Sequence, residues 1–128
     1  MTTPTDTIKV MLVNSSVNFV DARNCVVGYD MSQSCCEYAD WFIYDNPYSG
    51  TDSPADLRQP SDLPGYRFDP AFREESSPGW TEAGGMVVFR LLHDSEPPLY
   101  LHLFNSHNGY YGHGFTADMN GTMQEGIL

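Results

Sequence analysis

The chain has 128 residues, 41% hydrophobic and 13% aromatic, which is the make-up of one folded domain of ordinary size and not of a disordered chain. Seventeen acidic residues against six basic ones give a formal net charge of -11, a surface that repels phosphate backbones and anionic lipid and so argues against nucleic acid or a membrane face as a direct partner. No apolar run could span a bilayer, and the start MTTPTDTIKV lacks the basic residues and apolar stretch of a secretory signal, which points to a cytoplasmic protein.

Three regions follow one another. In the first, TIKVMLV (7–13), SVNFV (16–20) and NCVVGY (24–29) read as short strands separated by polar turn residues. The stretch CCEYADWFIY (35–44) is aromatic and apolar enough for a buried strand from Asp40 onward. The second region, 47–80, holds six of the nine prolines with little apolar periodicity, and reads as a long irregular excursion. Ser53-Pro54 and Asp69-Pro70 each place a capping side chain before a proline, so one or two short helical turns are expected inside it. In the third region MVVFRLL (86–92) and LYLHLF (99–104) are strands separated by HDSEPP, and YYGHGFTAD (110–118) is a returning strand after Asn108-Gly109, a strong two-residue turn signal. The expected fold is a single mainly β domain over 1–128: an antiparallel sheet of about six strands, with the proline-rich segment across one face.

A tight turn at 108 and 109 would set Phe104 opposite His113 and His102 opposite Phe115. One face then carries Leu99, Leu101 and Leu103 toward the core. The other collects Tyr100, His102, Phe104, Tyr111 and His113, and matching apolar to apolar across the preceding strand adds Arg90. Arg90, Tyr100, His102, Tyr111 and His113 are therefore the candidate binding residues. His102 and His113 would be diagonal neighbours there, but two imidazoles are not a zinc site, His107 points to the opposite face, and no spacing matches a zinc signature. No metal and no cofactor is expected.

Cys25, Cys35 and Cys36 are odd in number, and adjacent residues hold their Cα atoms about 3.8 Å apart, below the usual disulfide range, so reduced thiols are the simpler reading. A nucleophilic Cys35 or Cys36 activated by a histidine, with Glu37 orienting it, is the enzymatic alternative; buried thiols more often serve as small hydrophobes. No phosphate-cradling loop, G-x-S-x-G or H-E-x-x-H is present.

The segments CCEYADWFI and NSHNGYYGHGF resemble a family of small phage and bacterial proteins of unknown function that pair a D-C-C-E segment with a late S-N-G-Y-Y hairpin. Cys35, Cys36 and Glu37 correspond to the first motif, and Asn108, Gly109, Tyr110 and Tyr111 to the second; Ser34 stands where that family has Asp and His107 where it has Ser. The resemblance implies a small β-rich fold with the two motifs packed together, and brings no activity or cofactor. The function expected on these grounds is that of a non-catalytic binding or accessory protein. It would act on a protein partner, a small ligand or a second copy of itself, through the aromatic face or an exposed strand edge. The alternative is a small metal- or cysteine-dependent enzyme built on His102 and His113 with Cys35 or Cys36.

Overall fold

The computed structural model describes residues 8–21, 23, 25–31, 38–47, 57, 63–76, 83–107, 113–119 and 121–128. Within them nine strands and no helix occur: β1 Lys9–Val13, β2 Ser16–Val20, β3 Val26–Asp30, β4 Tyr38–Tyr44, β5 Arg67–Ser76, β6 Ala83–Leu92, β7 Leu99–His107, β8 Gly114–Met119 and β9 Thr122–Ile127. All pairings are antiparallel and make two sheets, a five-stranded β1-β2-β3-β8-β9 and a four-stranded β4-β7-β6-β5. The mainly β expectation stands, with nine strands in two sheets where about six were expected. No helix among the described residues is long and apolar enough to cross a membrane.

The sheets face each other because alternation gives each strand an apolar side. Val17, Phe19, Val27, Tyr29, Phe115 and Ala117 from one sheet meet Ile43, Phe68, Val87, Phe89, Leu91, Leu99, Leu101 and Leu103 from the other in one buried cluster. Contacts across the interface pair β2 with β4 (Phe19 edge-on to Trp41, 5.0 Å), β3 with β7 (Tyr29 hydroxyl to Phe104 carbonyl, 2.8 Å), β8 with β6 (Phe115 to Phe89, 6.3 Å) and β9 with β5 (Arg73 to Gln124, 2.6 Å). Five strands face four, and β1 is the strand left over. Its start is anchored by Ile8 and Val10 on the core, while Met11, Leu12 and Val13 are exposed.

Asp21 ties the layers together at the β2–β3 turn. One carboxylate oxygen accepts the amides of Arg23 (2.9 Å) and Cys25 (2.8 Å), and the other accepts the Phe68 amide of β5 (3.0 Å). A buried carboxylate is stable in such a place because three N–H groups converge on it.

Two sequence expectations are corrected. The irregular excursion assigned to 47–80 contains the ten-residue strand β5, and Asp69-Pro70 starts no helical turn. It forms a bulge instead: the register steps from Phe68↔Leu91 to Arg73↔Phe89, so four residues of β5 oppose Arg90 alone. Pro70 has no N–H to offer a ladder, and Asp69 Oδ1 accepts the Ala71 amide at 2.9 Å, so the pairing that can begin a helix here interrupts a strand. Ser53-Pro54 lies outside the described residues.

The second correction concerns the hairpin. β7 is hydrogen-bonded on both edges, to β4 (Phe42↔His102) and to β6 (Val88↔His102), so β8 has no edge of β7 to join. β8 pairs with β3 (Tyr29↔Phe115) and β9 in the other sheet; Asn108-Gly109 lies outside the described residues. β8 turns directly into β9 with Met119 opposite Thr122, and Gly121 takes φ +89°. The sequence reading assigns no strand to β9.

Candidate functional site

The candidate binding residues divide between the sheets. Arg90, Tyr100 and His102 do share a face, the side of the four-stranded sheet away from the main core, with Arg90 opposite Tyr100 and Val88 opposite His102 as the apolar matching predicts. His113 lies in the other sheet's territory, just before β8, where its Nδ1–H donates to the Asp30 carbonyl at 2.8 Å and its backbone exchanges hydrogen bonds with Leu128. His102 and His113 are therefore not neighbours on one face, because the strands that carry them belong to different sheets. Tyr111 lies outside the described residues, as do Cys35, Cys36, Glu37, Asn108, Gly109 and Tyr110 of the two motifs. Among the described residues no group of three or more His, Cys, Asp or Glu is placed to hold a metal, and Cys25 is a buried free thiol.

The shared face is closed, not open. Met86, Val88 and Phe104 are buried with Phe42, Phe72 and Tyr100 packed against them, a second small core. His102 at its centre is 0% exposed, stacked on Phe42 with ring centroids 4.3 Å apart and planes at 11°. Its Nε2 lies 2.9 Å from the Asn46 carbonyl, which can only accept, so Nε2 carries the hydrogen; Nδ1 has no partner among the described residues. Burial strips water from the imidazolium, and although the Asn46 carbonyl favours a proton, the pKa is pushed down to about 4. His102 is thus a neutral side chain at physiological pH and a poor candidate for a base that meets substrate.

Arg90 is likewise engaged. Its Nε donates to Asp69 Oδ2 at 2.8 Å, Nη2 donates to the same oxygen, and the guanidinium stands 4.6 Å from the Phe72 ring centroid. Burial opposes ionisation of Asp69, yet the Ala71 amide and Arg90 outweigh it and hold the carboxyl below its ordinary value. Sequence reasoning takes Asp69 for a helix-capping residue and does not pair it with Arg90, although an arginine in an apolar strand needs a counter-charge and the bulge supplies it.

Two other features remain open to solvent. One is the β1 edge, with Met11, Leu12 and Val13 at 47%, 70% and 58% exposure. The other is a cleft of about 440 Å³ at one end of the sandwich, lined by Asp45 after β4, Pro64 and Tyr66 before β5, His93, Glu96 and Pro97 of the β6–β7 connection, and Leu99. Its walls are braced. The Tyr66 hydroxyl donates to the Pro97 carbonyl at 2.8 Å, and His93 Nδ1 accepts the amides of Ser95 and Glu96 at 3.0 and 3.1 Å. The rings of Tyr66 and His93 stand 4.9 Å apart, and Gly65, at φ +83°, lets the imidazole lie where a Cβ would be. The signal for this region in the sequence is HDSEPP, which marks a connection but not what it lines.

No protein family model matches the sequence, and no curated protein or solved structure matches it significantly.

Proposed function

We propose that the protein is a non-catalytic binding or accessory protein that works as a homo-oligomer, and that β1 is the strand through which two copies join. The observation that carries this reading is the exposed apolar edge of β1, a strand with no second neighbour among the described residues and with Met11, Leu12 and Val13 exposed. Soluble proteins commonly blunt such edges with charge, and each of the other three edge strands here carries a carboxylate: Asp40 in β4, Glu74 in β5 and Glu125 in β9. β1 has no carboxylate and holds Lys9, the one lysine of the chain. Two molecules of net charge -11 repel, so they meet with least penalty along the edge that is free of acid. Antiparallel pairing of β1 with its copy about Met11 sets Val10 against Leu12 and Lys9 against Val13, an isologous contact that opposes no like charges.

A protein of this kind uses the aromatic side of the four-stranded sheet as internal packing, and the sequence-based proposal that Arg90, Tyr100 and His102 bind a partner is favoured less than the edge. The enzymatic alternative draws support from no cluster of reactive groups among the described residues. The proposed compartment is the cytoplasm, in keeping with an odd number of cysteines and the buried free thiol of Cys25.

Sedimentation velocity across micromolar to high-micromolar concentration tests the reading. A dimer is expected that Leu12→Lys converts to monomer, with a melting temperature equal to that of wild type at concentrations where wild type is itself monomeric, while Met123→Lys on the far edge leaves the dimer intact. A monomer at every concentration sinks the proposal, and so does loss of association in both variants, which would mean β1 pairing head-to-tail with β9.

A further inference from the structure

The end cleft has the volume of a small-molecule site and a lining of definite chemistry. Its floor is apolar and aromatic: Pro64, Pro97, Leu99 and the ring of Tyr66, whose hydroxyl is already spent on the Pro97 carbonyl. Its charged groups are Asp45 and Glu96, and neither carboxylate has a hydrogen-bond or ion-pair partner among the described residues. Other acids nearby are engaged: Asp94 by Arg67 at 3.1 Å, Asp69 by Arg90, Asp21 by three backbone amides. No lysine or arginine is among the described residues that line the cleft, and His93 accepts two amides through Nδ1, an arrangement in which that nitrogen carries no proton.

We propose that this cleft binds a small organic cation, a guanidinium or ammonium group on a short apolar stem. The stem lies on the proline and leucine floor, and the charged head meets Asp45 and Glu96. The field of a chain with net charge -11 raises the local concentration of such a ligand. Bracing by the Tyr66–Pro97 and His93–Glu96 hydrogen bonds sets the walls in place beforehand, so little ordering is required on binding. The site is separate from the β1 edge and stands or falls independently of self-association.

Titration of the full chain with n-butylguanidine, followed by amide-resolved NMR, tests this, with n-butylurea as the neutral isostere. The guanidinium compound is expected to shift the amides of Gly65, Tyr66, His93, Glu96 and Leu99 and to bind more weakly as salt is raised; the urea is expected to do neither. Asp45→Asn and Glu96→Gln should each weaken binding about fivefold, the worth of one partly exposed ion pair. Glu125→Gln on β9 makes the same change in net charge and should leave affinity unaltered. Equal binding of the urea, shifts confined to other amides, or an equal loss in Glu125→Gln would each overturn the proposal, the last by showing attraction to the molecule's overall charge.

Discussion

β7 and β1 are both apolar strands of antiparallel sheets, and they meet opposite fates. β7 is hydrogen-bonded along both edges, by β4 and β6, and is buried on both faces: Leu101 and Leu103 point into the main core, His102 and Phe104 into the smaller one. Among the described residues β1 is hydrogen-bonded to β2 alone, and past Val10 its side chains Met11, Leu12 and Val13 are exposed. Apolar side chains therefore do not by themselves bury a strand. Burial is decided by how many neighbours the topology supplies, and a strand given one neighbour leaves its second edge exposed.

The largest expected effect separates these strands directly. Leu103→Ala removes a side chain that is 0% exposed between two sheets and should lower the unfolding free energy by about 2–5 kcal/mol. Leu12→Ala removes one that is 70% exposed and should change it by no more than about 0.5 kcal/mol. Urea unfolding of the two variants checks both. If Leu12→Ala costs as much as Leu103→Ala at dilute concentration, β1 is held by contacts within its own chain, and the contrast disappears.

The same contrast explains what the sequence reveals. Pattern places β1, β2, β3, β6 and β7, and puts Arg90, Tyr100 and His102 on one side of the four-stranded sheet, because the two-residue pleat is a local property. Which strand lies beside β7 is not local. Asn108-Gly109 and Asn120-Gly121 carry the same turn signal in the sequence, yet β8 pairs with β3 and β9 while β7 pairs with β4 and β6. β5 escapes notice because Pro70 and the bulge break its alternation, and β9 because TMQEGI has two exposed apolar residues and no buried face to mark it. Nor does alternation tell a face that meets solvent from one that is covered: Tyr100, His102 and Phe104 read as a contact surface and are packed within the molecule. The cleft escapes for a further reason, since Asp45, Tyr66 and Glu96 come together only when the two ends of the β4–β5 connection meet the β6–β7 connection at one end of the sandwich.

Acidification sharpens the comparison at the buried side of β7. An unfolded imidazole titrates near 6.5, whereas His102 in the folded chain titrates near 4. Between those values the unfolded chain holds the extra proton, so the contribution of neutral His102 is complete above pH 6.5 and is lost as pH falls toward 4. The expected loss reaches up to about 3 kcal/mol and levels off below that range. His102→Phe keeps a ring against Phe42 and removes the titration, so the stability difference between variant and wild type should change across this interval. A difference that is flat from pH 7 to pH 4 would mean that His102 takes up its proton without unfolding, and that the face is open to water.

The smallest effect belongs to the bulge that supplies Arg90 with its counter-charge. Asp69→Asn leaves one oxygen to serve both the Ala71 amide and Arg90, and because Arg90 is one-third exposed the cost should be only about 1 kcal/mol. The pH signature is more telling than the magnitude. The folded pKa of Asp69 is below its ordinary value of 3.8, so its contribution is full above that value and is lost as pH falls through the lower, folded one. The variant lacks this acid-side loss, so its deficit against wild type should shrink as pH drops below 3.8, on the far side of the His102 interval. Equilibrium unfolding of both proteins over that range reads it out. A deficit that stays constant into strong acid would show that Arg90 draws its stabilisation from the Phe72 ring and Tyr100, with the carboxylate a bystander.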